Sequence, residues 1–136
     1  MDNPEHSDET QIPIEEVIAT DGRYRMESFG FLHEALGRAV QEHHPDPEDP
    51  EKHVTGQQLC ESIRDLARDR WGMMAPAVLR SWNIKGSIDF GNMVYLLIDH
   101  NYMRKTDEDS IEDFRDVFSL EKDFDNSDNI RIPGSN

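Results

Sequence analysis

The chain has a single cysteine, Cys60, so no internal disulfide can form and a covalently stapled fold is excluded. A lone thiol suits a reducing compartment, and the cytoplasm is the expected location. No apolar run approaches the roughly 18 residues that a membrane-crossing helix needs, so no membrane partner is expected. The start of the chain is acidic and polar with no apolar stretch, so a secretory leader is not expected either. The eight glycines are scattered, and none falls into Gly-x-Gly-x-x-Gly, a Walker loop or Gly-x-Ser-x-Gly. Basic residues are scarce, 14 against 29 acidic ones, giving a net charge of −15. Such a chain repels phosphate backbones and anionic lipid surfaces, and the intact protein is not expected to bind duplex DNA.

The charge is uneven. Residues 1–54 hold 14 acids and 4 bases, residues 55–105 hold 5 and 7, and residues 106–136 hold 10 and 3. A near-neutral middle is carried between two acidic flanks. With 35% apolar residues in 136, there is material for one core and one domain. The domain is placed at 11–124, between tails at 1–10 and 125–136 that are expected to be disordered.

Helical periodicity dominates the middle. Ile12, Ile14, Val17 and Ile18 suggest a short first helix stopped by Gly22. A longer helix follows over 23–43, with Phe29, Leu32, Leu36 and Val40 on one stripe. Pro45, Pro47 and Pro50 make residues 44–53 a loop. Thr55 and Gln58 have capping-box spacing, and Val54 and Leu59 sit where a hydrophobic staple needs them. The helix they open, over 56–70, buries Leu59, Ile63, Leu66 and Ala67 and ends at Gly72. Pro76 suits the first turn of a short helix ending near Trp82. Ser87 is the expected cap of a last strong helix over 88–100, with Phe90, Met93, Val94, Leu97 and Ile98 inward and Asn101 as a left-handed stop. The helices over 56–70 and 88–100 are expected to form the core pair. Tyr102 to Lys105 alternate like a strand, and 111–118 can complete a hairpin or, by the spacing of Ile111, Phe114 and Phe118, a helix. The fold class is mainly α, four to five helices. A winged-helix variant, with a short β-hairpin near 102–118, fits the same order of elements.

Several residue clusters look chemically suggestive, and each has a plainer role. His43, His44 and His53 border a loop with Asp46, Glu48 and Asp49, yet the spacing is irregular and no metal is expected. His33-Glu34 starts like a zincin helix, but Gly37 stands where the second histidine belongs. The run from Asp123 to Asp128 has Asp128 and Gly134 where a calcium loop requires glycine and glutamate. Cys60 has no cysteine-protease signature around it and reads as a core residue. No catalytic or cofactor-binding residue is identified. A helix reading DNA would present Asp89, Asn92, Tyr95 and Asp99, of which two repel phosphate. Arg64, Arg68 and Arg70 alternate with Glu61, Asp65 and Asp69 at spacings of intrahelical ion pairs. Trp71, Met73, Met74 and Trp82 remain, residue types that build adaptable partner surfaces and also fill helix junctions.

The pieces HVTGQQL, SIRDLA, WGMMAPAVLRSWNI, DFGNMVYLLI and KTDEDSIEDF over 53–118, with GRYRMESFGFLHEAL before them, resemble an uncharacterised bacterial family of unknown function. The acidic N-terminal tail and the proline-rich loop depart from it. The resemblance implies a folded bacterial cytosolic domain and brings no activity, cofactor or site residue. The expected function is a non-enzymatic protein-binding or regulatory module. The alternative is a winged-helix nucleic-acid regulator whose acidic flanks act as autoinhibitory segments.

Overall fold

A computed structural model describes residues 11–50 and 52–124; the expected tails at 1–10 and 125–136 lie outside the described residues. Among the described residues five α-helices follow one another: α1 Ile14–Asp21, α2 Met26–His43, α3 Gly56–Trp71, α4 Ala75–Ser81 and α5 Ser87–Asp99. Single 3-10 turns stand at Gly72–Met74 and Ile111–Phe114.

Local signals account for most boundaries. Gly22 has a φ of 74°, and its N–H donates to the Ile18 carbonyl, so α1 ends in the left-handed stop only glycine adopts freely. In α2, Phe29, Leu32 and Leu36 are buried as the stripe predicts, with Val40 partly so. A second buried row, Phe31, Ala35 and Ala39, widens that face. At the start of α3 the Gln58 N–H donates to Thr55 Oγ1 and the Thr55 N–H donates to Gln58 Oε1, both at 3.0 Å. Val54 and Leu59 are fully buried beside this cap. Caps of this kind hold a helix end by about 1 kcal/mol.

Three expectations give way. Ser87 is not the cap of α5, because Gly86 occupies that position and the Asp89 carboxylate accepts the N–H groups of Lys85 and Gly86. The buried Ser87 hydroxyl instead donates to the Phe114 carbonyl at 2.6 Å and accepts the Val117 N–H at 3.0 Å. The second failure is the hairpin, since there is no strand among the described residues of 102–118. Asn101, at φ 65°, turns the chain back on α5, and the N–H groups of Tyr102 and Met103 both donate to the Leu97 carbonyl. Groups spent on a helix end cannot pair a strand, so the winged-helix hairpin does not form and the chain is mainly helical.

The third concerns the core pair. α3 packs chiefly on α2, while α5 packs chiefly on the 111–114 turn. Phe114, fully buried, is the reason. A Cβ on Gly56 of α3 would lie 2.8 Å from the Phe114 ring, and one on Gly91 of α5 would lie 2.8 Å from Phe114 Cβ. The ring wedges into the recess that these two glycines leave. Phe118, Leu120 and Phe124 continue the same buried strap, and Phe118 meets Phe90 at 6.3 Å and Phe124 at 5.9 Å.

Candidate interaction surface

The helix junction at 70–82 gathers the four residues singled out from the sequence, and splits them into two roles. Gly72, at φ 55°, ends α3 and turns the chain into one 3-10 turn, after which Pro76 sits in the first turn of α4. The two tryptophans point back toward the core. Their rings meet edge-on at 5.5 Å, and Phe31 lies 5.0 Å from Trp71 and 5.7 Å from Trp82. Met73 and Met74 point the other way and are 59% and 64% exposed.

Phe31 belongs to this site and was missed, because it lies off the main stripe of α2 and only the Phe31, Ala35, Ala39 row could have flagged it. Arg70 was also missed in this role. Its guanidinium lies 5.9 Å from the Phe31 ring and 5.8 Å from the Trp71 ring, while both its terminal nitrogens bond the Glu34 carboxylate. That bond holds the Glu34 carboxyl below its usual range. Around the rim Arg38 pairs with Asp69 at 2.9 Å and Arg80 with Glu121 at 3.2 Å. The surface is an apolar turn on an aromatic base, bordered by neutralised charge.

Elsewhere the candidate groups disperse. His44 bonds Asp49, His53 bonds Asp109 and His43 meets Gln58, so the loop histidines turn to three separate partners. Among the described residues no three His, Cys, Asp or Glu side chains could hold a metal ion together. The calcium-like run lies outside the described residues beyond Phe124. Cys60 is fully buried, and burial followed by the Glu61 charge pushes its thiol up to about 12. No helix among the described residues is long and apolar enough to cross a membrane.

The face of α5 that would read bases is occupied within the fold. The Tyr24 hydroxyl donates to Asp89 Oδ1 at 2.5 Å, and Asn92 Nδ2 donates to the Tyr24 hydroxyl at 3.1 Å. Burial and the Asp89 hydrogen bond push the Tyr24 hydroxyl up to about 12. Tyr95 keeps its hydroxyl inside, where burial and the charges of Asp109 and Asp113 raise its pKa. Only Asp99 of the four is exposed. The arginines of α3 pair partly across helices, Arg70 with Glu34 and Asp69 with Arg38, rather than along α3 alone as the spacing suggested. Arg68 donates to the Asp123 carbonyl at 2.7 Å and so ties the strap to α3.

No family model matches the chain, and neither a curated protein nor a solved structure does.

Proposed function

We propose that the chain is a non-enzymatic protein-binding module and that the turn at 71–74, with Trp82 beside it, is its contact surface. One observation carries this reading: two adjacent methionines are held more than half exposed on a short turn whose base is packed aromatic rings. Exposed thioethers are adaptable contact groups, and a rigid base lowers the ordering cost of binding. The paired charges around the turn supply the polar rim that an apolar contact centre needs. The nucleic-acid alternative draws less support, since Asp89 and Asn92 are bonded to Tyr24 and most arginines are already paired.

The test is affinity capture from the native cell with the full chain and with the Met73→Asp/Met74→Asp double variant, at matched melting temperature. The expected result is a partner held by the first and lost by the second. A partner held equally by both would remove the surface from the reading. Salt-sensitive binding of duplex DNA by the full chain would replace the reading altogether.

A further inference from the structure

We propose that Met73 and Met74 are a modification site for hydroperoxides: oxidation of both thioethers to sulfoxides switches off the contact surface at 71–74 and leaves the fold standing. The switch rests on the function proposed above, while the site itself rests on where the fold puts its sulfur atoms. The described methionines fall into two classes. Met93 and Met103 are 0% and 4% exposed and belong to the core, whereas Met26, Met73 and Met74 are 43%, 59% and 64% exposed. The one thiol, ordinarily the first sulfur that a peroxide attacks, is withdrawn. Cys60 is fully buried, and burial followed by the Glu61 charge pushes it up to about 12, away from the reactive thiolate. Peroxide dissolved in water therefore meets thioether before thiol, and the 72–74 turn offers two thioethers side by side.

The step balances with the peroxide as its only co-reactant. A sulfur lone pair attacks one peroxide oxygen, and the O–O bond breaks as the S–O bond forms. The displaced hydroxide takes the proton from the transferred oxygen and leaves as water. Sulfur loses two electrons and the peroxide gains them. The product is a polar, chiral side chain where an apolar, pliable one stood.

The turn is built so that this change touches the surface and spares the fold. The helix join is held by backbone bonds, the Gly72 N–H donating to the Arg68 carbonyl and the Ala75 N–H to the Gly72 carbonyl. Its base is the ring cluster of Phe31, Trp71 and Trp82, and the two methionines point away from it. An oxygen added to either sulfur leaves those bonds and ring contacts in place. It does change the contact centre, because each new S–O dipole must be stripped of water before an apolar group can cover it.

The experiment treats the full chain with hydrogen peroxide, maps added oxygen by mass on tryptic peptides, and reads the surface by retention on a phenyl column. Peptide 71–80, with Met73 and Met74, should gain its oxygens at least about tenfold faster than peptide 86–104, whose Met93 and Met103 wait on an opening of the core. At that stage the melting temperature should move by less than about 2 °C, and retention should fall. Met73→Leu/Met74→Leu should keep its retention through the treatment, and Met26→Leu should lose it as the wild type does. The pair of methionine sulfoxide reductases, one for each epimer, should restore it. The site is refuted if 86–104 keeps pace with 71–80, if the melting temperature shifts by more than that, or if retention falls equally in Met73→Leu/Met74→Leu. Capture from the native cell then separates the switch from the surface. A partner lost by both the oxidised chain and Met73→Asp/Met74→Asp supports the switch. A partner that the aspartate variant loses and the oxidised chain holds overturns the switch and leaves the surface. A partner that both hold removes the surface, and the switch with it.

Discussion

Two single 3-10 turns in this fold carry large apolar side chains to opposite fates. Phe114, at the end of one, is fully buried, while Met74, at the end of the other, is 64% exposed. The local geometry is of one kind, so it does not decide. The 111–114 turn is fixed by Ser110 and Asp113, which accept the N–H groups of Glu112 and Ser110, and it faces Gly56 and Gly91. The 72–74 turn starts at a left-handed glycine, runs straight into α4 and meets no such recess. Burial is set by what the far side of the molecule leaves out, here two Cβ atoms.

The sharpest way to break this contrast is Phe114→Ala, which empties the recess. A loss of about 3–5 kcal/mol is expected in urea unfolding, the range for truncating a buried aromatic ring. A loss below about 1 kcal/mol would mean the strap collapses to refill the space and is not a wedge.

Next is Gly91→Ala. Alanine favours a helix by about 1 kcal/mol over glycine, but overpacking a tight core costs about 1–3 kcal/mol. With backbone-proximal atoms of Phe114 only 2.8 Å from the new Cβ, steric cost should win and the variant should melt lower.

A smaller effect is expected from acid. The Asp109 side chain is 5% exposed, and its carboxyl is held below the usual range. Burial acts to raise it, while the Thr106 N–H, the His53 hydrogen bond and nearby positive charge act to lower it, and the net direction is down. A depressed carboxyl stabilises the fold above its unfolded pKa, and this contribution is lost as pH falls through the folded value. Asp109→Asn should therefore lower the melting point near neutrality and flatten its fall below about pH 4.

Gly30→Ala is the mirror of Gly91→Ala. A Cβ at Gly30 meets nothing within 4 Å, so only the helix preference operates. A gain of about 0.5–1 kcal/mol is expected in the same urea series. A loss there would reveal a contact on that face of α2.

Smallest of all, Met73→Ala and Met74→Ala should each change stability by less than about 0.5 kcal/mol, as exposed side chains do. A loss above about 2 kcal/mol from either would make the turn a packed element rather than an exposed one.

The same contrast explains how far the sequence could be read. Capping is local, so Thr55 with Gln58, Gly22 and Asn101 were all legible from spacing. Ser87 was not, because a serine ahead of an apolar run looks the same whether it caps the helix or serves a distant carbonyl. The partnership of Phe114 with Gly56 and Gly91 joins residues far apart in the chain, and each glycine alone reads only as a weak helix former. Tyr102 to Lys105 had the alternation of a strand, but the N–H groups of Tyr102 and Met103 go to the end of α5 instead. At the surface, tryptophan and methionine were legible as a cluster. That the tryptophans turn inward and the methionines outward depends on Phe31, which periodicity left out.

Cys60 gives the molecule a built-in clock. Its thiol is sealed in the core and pushed up to about 12, so a water-soluble alkylating reagent reaches the reactive thiolate only during an excursion that opens the core. With one thiol per chain, each labelled molecule records a single such excursion. The labelling half-life, read by mass, times how often α3 parts from its neighbours under native conditions, without denaturant.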